Sequence, residues 1–155
     1  MKNLTVALAA LGFSLLGYGQ TDTISGGANV VISANKWEQK LNEVPNKITK
    51  ITQNDIAFNN PQTAADMLAQ TGAVYVQKSQ LAGGSPMIRG FATNRVLLIV
   101  DGVRMNNAIY RSGNLQNIIS IDPLATQNAE VIFGPGSTIY GSDAIGGVMD
   151  FHSLP

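Results

Sequence analysis

The sequence predicts an α+β fold, a small mixed sheet accompanied by short helices and by long loops rich in Gly, Asn and Ser. Three observations lead there. Val96-Leu97-Leu98-Ile99-Val100 is an unbroken apolar run of strand length, which reads as a strand buried on both faces. Thr52 with Asp55, and Thr63 with Asp66, are two Thr-x-x-Asp pairs that mark helix starts, the hydroxyl as cap and the carboxylate at the third helical position. Glycines beside Asn, Ser or Pro supply the turns between these elements.

The chain opens with Lys2, an apolar stretch over 4–16, and Gly17 and Gly19 around Tyr18. These are the parts of a secretory signal with a small-x-small cleavage site, so residues 1–20 are expected to be a signal peptide. The stretch falls short of the ~20 apolar residues that span a bilayer. Residues 21–45 are expected to form a flexible leader. Within it Val30, Val31, Ile32, Ser33 and Ala34 make a short β-prone segment isolated from any hairpin partner. Such a segment is either an ordinary edge strand or a strand kept free for another protein to pair with.

The folded domain is expected over 46–155. Its first strand, 46–52, opens after Pro45 and runs into the Thr52 helix start. The second helix carries the apolar stripe Ala64, Ala65, Met67, Leu68 and Ala69 and stops at Gly72, where a left-handed residue is wanted. Strands follow at 74–77, at 87–89 after the Gly83-Gly84-Ser85-Pro86 turn, and at 96–100. Asp122 before Pro123 supplies a cap and a first helical residue. The last strands, 130–133 and 148–152, flank a glycine-rich turn that contains a short helical turn at 137–140.

Charge and composition exclude several functions. Ten Lys plus Arg balance ten Asp plus Glu, and loss of Lys2 with the signal leaves nine against ten, a charge of −1. Such a chain offers no cationic field to nucleic acid or anionic lipid. There is no Cys and only one His, His152, so no metal centre, cofactor or thiol nucleophile is expected. Charged residues make up 13% against a usual ~25%, which suits a surface that meets something other than bulk water. The basic residues also change type along the chain: Lys36, Lys40, Lys47, Lys50 and Lys78 give way to Arg89, Arg95, Arg104 and Arg111. A planar guanidinium tolerates burial among carboxylates better than an ammonium does, so this stretch is expected to face a protein wall. Four surface arginines arising by chance would read the same way.

No catalytic constellation is found. Gly134-Pro135-Gly136-Ser137-Thr138 lacks the Lys of a phosphate loop, and Pro135 removes an amide donor. His152, the only imidazole, has no Gly-x-Ser-x-Gly partner and is expected as a strand-end surface residue. Asp143 and Asp150 are expected to cap turns or to be solvated. The chain is therefore not expected to be an enzyme.

Six blocks in order carry a resemblance: Val30-Val31-Ile32-Ser33-Ala34-Asn35; Thr63-Ala64-Ala65-Asp66-Met67-Leu68 leading to Gly72; Ile88-Arg89-Gly90; Val100-Asp101-Gly102-Val103-Arg104; Glu130-Val131-Ile132-Phe133-Gly134-Pro135; and Tyr140-Gly141-Ser142-Asp143-Ala144-Ile145-Gly146-Gly147-Val148. Together they resemble the N-terminal plug of TonB-dependent outer-membrane receptors. The resemblance implies a mixed four-stranded sheet seated inside a 22-stranded barrel of the outer membrane, normally part of the same chain. It implies a TonB box at Val30, Val31, Ile32, Ser33 and Ala34, which pairs with the C-terminal domain of TonB, itself energised with ExbB and ExbD. Arg89 and Gly90, with Gly134 and Pro135, would be the plug-to-barrel lock, Arg89 pairing with wall carboxylates. Gln80, Leu81, Gly83, Gly84, Tyr110, Arg111 and Asn114 would face the ligand, an iron chelate or siderophore. The stretch 106–114 most resembles receptors for haem or haemoproteins.

Two departures accompany it. Phe133 stands where the family often has Arg, which leaves the second lock ion pair without its usual residue. A barrel needs over 200 residues, since 22 strands take about 10 each, so a chain ending at Pro155 is expected to be a receptor fragment, a truncated product or a free plug. The rival readings are a free periplasmic module that captures haem or an iron chelate, with Tyr110 as a phenolate ligand, and a small periplasmic hydrolase that rests only on the Gly/Ser-rich loops, with His152 as its only base.

Overall fold

The structure is a computed structural model and describes residues 30–78, 84–105 and 118–155. In chain order its strands are β1 (Val30–Val31), β2 (Gln39–Lys40), β3 (Ile48–Thr52), β4 (Tyr75–Lys78), β5 (Gly84–Ile88), β6 (Phe91–Ala92), β7 (Val96–Val100), β8 (Val103–Arg104), β9 (Thr126–Phe133) and β10 (Gly147–Ser153). The helices are α1 (Gln53–Asn59), α2 (Ala64–Gln70) and the single turn α3 (Ser137–Tyr140).

The main sheet runs β3-β9-β10-β7-β8. It is mixed, because β7 lies parallel to β10 while the other neighbours are antiparallel. The expected four-stranded sheet is the set of four longer strands, and β8 adds a two-residue edge. The strands expected at 74–77 and 87–89 do not join it. They form a separate antiparallel sheet, β4-β5-β6.

Both faces of the main sheet are covered, which is why β7, β9 and β10 carry so few polar residues. On one face Ile51, Leu98, Val131, Met149 and Phe151 pack with Ile56 of α1, with Met67 and Leu68 of α2, and with Ile88 of β5. On the other, Ile48, Leu97, Ile132 and Val148 pack with Tyr140 and with Val31 and Ala34.

The helices form where the local chemistry places them. Thr52 and Asp55 make a reciprocal capping box: the Asp55 amide donates to Thr52 Oγ1 at 3.3 Å and the Thr52 amide to Asp55 Oδ2 at 2.9 Å. Thr63 Oγ1 accepts from the Asp66 amide at 3.1 Å, and Gly72 takes the left-handed conformation just past α2, with φ 66°.

Candidate functional site

The N-terminal segment departs most from expectation. Val30 and Val31 do have a hairpin partner, pairing antiparallel with Lys40 and Gln39. Val31, Ser33 and Ala34 are buried: the strand ends at Val31, and the turn that follows lays Ser33 and Ala34 against the sheet. The segment is thus the cover of one face of the sheet and part of its core.

A carboxylate in the sheet holds it there. Glu130 of β9 is 1% exposed, and its Oε2 accepts from the Ile32 amide at 3.1 Å, the Ser33 amide at 3.0 Å and the Ser33 hydroxyl. Lys50, directly opposite on β3, lies 3.9 Å from Glu130 Oε1 and donates to the Val30 carbonyl at 2.6 Å. Tyr140 of α3 donates its hydroxyl to the Ser33 carbonyl. Burial, then the charges of Asp150 and Glu130, push the Tyr140 phenol well above its ordinary range, which keeps it a donor. A buried carboxylate is tolerable because charge-assisted donors replace its water.

The register extends this into a row across the sheet: Lys50, Glu130, Asp150, Ile99 and Arg104 are successive cross-strand neighbours on β3, β9, β10, β7 and β8. Asp150 is not solvated as expected but 5% exposed, and its Oδ1 has no hydrogen-bond partner. His152, expected at the surface, keeps 21% of its side chain exposed and lies 3.9 Å from Asp150 Oδ2, with Nε2 unpartnered. Both drop inward because β10 is an internal strand whose two faces are covered. A cavity of about 640 Å³ opens here, walled by Ile32 and Ser33 on one side and Ile99, Tyr140, Asp150 and His152 on the other.

The two motifs expected as the lock come together in space. Arg89 and Gly90 are the two-residue turn between β5 and β6, with φ 49° and 85°, and both positive values are what a type I′ hairpin turn requires. Gly, Asn or Asp normally fills the first place, and the Asp101-Gly102 turn between β7 and β8, with φ 48° and 80°, follows that preference. Arg89 holds the same conformation at a cost of ~1–2 kcal/mol. Gly134, with φ 100°, and exposed Pro135 follow β9, and the Arg89 guanidinium lies 5.6 Å from the centroid of the Phe133 ring.

Gly84, expected to face the ligand, lies instead in the strand β5. It is buried in β5, where a Cβ would lie 2.5 Å from Val76 Cγ1 and 3.0 Å from Ala65 Cβ, so its role is close packing of strand on helix. Gln80, Leu81, Gly83, Tyr110, Arg111 and Asn114 lie outside the described residues, as does the signal stretch 1–20. Glu130, Lys50 and Tyr140 were not singled out from the sequence. The available signal was a charged residue inside each of two strand segments, Lys50 between Thr49 and Ile51 and Glu130 between Ala129 and Val131.

This is the frame of a receptor domain with its N-terminal segment folded back on the sheet. The family described as TonB-dependent Receptor Plug Domain matches residues 40–148. The chain belongs to that family. It is 36% identical over 149 residues to a vitamin B12 transporter, BtuB, of Vibrio vulnificus, covering 95% of this chain and 24% of the relative. It is 33% identical over 126 residues to a hemin receptor of Yersinia pestis, covering 81% of this chain and 18% of the relative. Among solved structures, the pyoverdine receptor FpvA of Pseudomonas aeruginosa matches with a TM-score of 0.70 at 17% identity, over 81% of this chain and 16% of that one. The chain thus spans about a quarter or less of these relatives.

Proposed function

We propose that this chain is the plug, the gate, of an outer-membrane transporter. It sits within a barrel, has no catalytic role, and hands residues 30–34 to TonB as its TonB box. The single observation that carries this reading is the seat of that segment: one buried carboxylate, Glu130, gathers two of its amides, those of Ile32 and Ser33, and the Ser33 hydroxyl. Force applied to the segment acts at an internal strand of the sheet and uncovers the Val31 and Ala34 face of the core. A pull from the periplasmic side, energised through ExbB and ExbD, therefore reaches the gate at its centre.

The ligand of this reading is an iron chelate, and within that class haem or haemoprotein-derived iron. It is supported by the character of the 106–114 stretch and by the hemin receptor among the relatives. The vitamin B12 transporter among the relatives supports cobalamin as the competing ligand.

A peptide of residues 29–35 is expected to bind the C-terminal domain of TonB by strand addition, and the same peptide with Val31→Pro, which deletes a ladder donor, is not. Equal binding by the two peptides refutes the box assignment. Growth of a receptor carrying this plug on haem, and not on cobalamin, as the limiting nutrient supports the ligand class. The reverse pattern overturns it.

A further inference from the structure

The cavity of about 640 Å³ beside residues 32 and 33 has apolar sides in Ile32, Ile99 and Ile139, and one charge in its lining that the fold leaves unanswered. Asp150 is 5% exposed and its Oδ1 has no hydrogen-bond partner. Among the described residues the one group within ion-pair reach is His152, whose Nε2 lies 3.9 Å from Asp150 Oδ2 and is itself unpartnered.

The other polar groups around Asp150 are engaged elsewhere or lie in solvent. Glu130, opposite on β9, takes the Ile32 and Ser33 amides, and Tyr140 of α3 gives its hydroxyl to the Ser33 carbonyl. Asp101, on the β7–β8 turn, accepts from the Ser153 amide at 2.8 Å, and Arg104 of β8 donates to Asp143 at 2.8 Å. Lys36 is exposed and sits over the Tyr140 ring, 5.2 Å from its centroid.

A buried carboxylate is normally matched by donors that replace its water. Apolar walls with one polar group to orient the occupant, at this volume, are the make-up of a small-molecule site. An occupant that answers Asp150 brings N–H donors, a positive charge and an apolar body. The planar fork of an amidinium or guanidinium donates to a carboxylate at two points, and it is more weakly hydrated than an ammonium, so it leaves water at lower cost.

We infer that this cavity is a binding site for a small organic cation of the amidinium or guanidinium class, with Asp150 as its anchor, His152 beside it, and Ile32, Ile99 and Ile139 around the apolar body. The site goes beyond the plug reading and stands without it. Because Ile32 and Ser33 form one wall, the cation binds the chain with residues 30–34 in their seat, and occupancy holds that segment down by mass action.

The test is NMR titration of the chain with four molecules of similar size: benzamidine, neutral benzamide, the ammonium benzylamine and the anion benzoate. Benzamidine is expected to shift the His152 ring and the Ser33 and Ile99 amides, with a Kd at least about tenfold below that of benzamide and about threefold below that of benzylamine. Asp150→Asn keeps the shape of the side chain and should remove the advantage over benzamide. Lys36→Ala deletes an exposed like charge from the lining and should leave benzamidine bound as tightly or more so. The Kd should fall about fivefold or more from pH ~5 to ~7, as Asp150, held to about 6 chiefly by burial, gives up its proton. With benzamidine at ten times its Kd, amide exchange at Ile32 and Ser33 should slow by about tenfold. Equal Kd for benzamidine and benzamide, or an advantage that survives Asp150→Asn, overturns the site. Tighter binding of benzoate, or weaker binding of benzamidine by Lys36→Ala, overturns the cationic occupant, and equal binding of benzylamine overturns the planar class. Unchanged exchange at Ile32 and Ser33 overturns the hold on the segment.

Discussion

Glu130 and Asp150 stand directly opposite each other on β9 and β10, and both carboxylates are buried. Their compensation is unequal. Glu130 receives three donors and faces Lys50, while Asp150, among the described residues, has only His152 at 3.9 Å and one oxygen without a partner. Burial is the main reason that Asp150 titrates high, at about 6; His152 lowers it, and the charges of Glu130 and Asp101 raise it further.

That difference sets a pH dependence. The folded chain holds a proton on Asp150 that the unfolded chain releases, so this contribution to stability is complete below pH ~4 and is lost as pH rises through about 6. Asp55, Asp66 and Asp101 shift the other way, mainly through hydrogen bonds to their carboxylates, and their contribution is lost as pH falls below the usual carboxylate range. Asp150→Asn should therefore stabilise the chain at pH ~8 by up to about 3 kcal/mol and flatten the slope between pH ~4 and ~6. Urea melts across that range read the effect, and an unchanged slope refutes it.

The seat of residues 30–34 should open when its donors are removed. Ser33→Ala deletes the hydroxyl bond to a buried charge, a loss of ~1.5–3 kcal/mol, and Tyr140→Phe deletes a neutral bond worth about 1 kcal/mol. Amide exchange at Ile32 and Ser33 should accelerate by about tenfold or more in Ser33→Ala, and less in Tyr140→Phe. Protection equal to the parent in both variants would mean that Val31 and Ala34 packing alone holds the segment.

Two glycines make opposite predictions. A Cβ at Gly146 would lie 2.3 Å from Phe91 Cβ and 3.0 Å from the Arg95 carbonyl, atoms fixed to backbone, so Gly146→Ala should cost at least ~2 kcal/mol. At Gly90 nothing lies within 4 Å, and Gly90→Ala should cost only the ~1–2 kcal/mol of a left-handed alanine. Thermal melts of both variants decide whether clash or conformation dominates.

The α2 cap offers a local control. Thr63→Ala removes the acceptor of the Asp66 amide and should cost ~1 kcal/mol, read as a lower urea midpoint with unchanged m-value. A larger loss would mean that the cap also aligns Met67 and Leu68 on the sheet.

What the sequence determined by itself was local. Thr52 and Thr63 announce their helices because a cap and its third residue meet within one turn, and Gly72 stops α2 for the same short-range reason. The run Val96–Val100 announces a doubly covered strand because its side chains must all leave water. The burial of Glu130 and Asp150 was not legible in this way: Asp150 reads in the sequence as a turn cap or a solvated residue, and Glu130 as one residue of a strand. Only the tertiary structure decided the answers. Ser33 reaches Glu130 across 97 residues, and Lys47 and Arg89 meet at Phe133 through strand order and turn geometry. The strands near 75 and 88 left the main sheet for one of their own. Pattern along a chain specifies which faces must be buried, but which distant segment buries them depends on register and packing between elements.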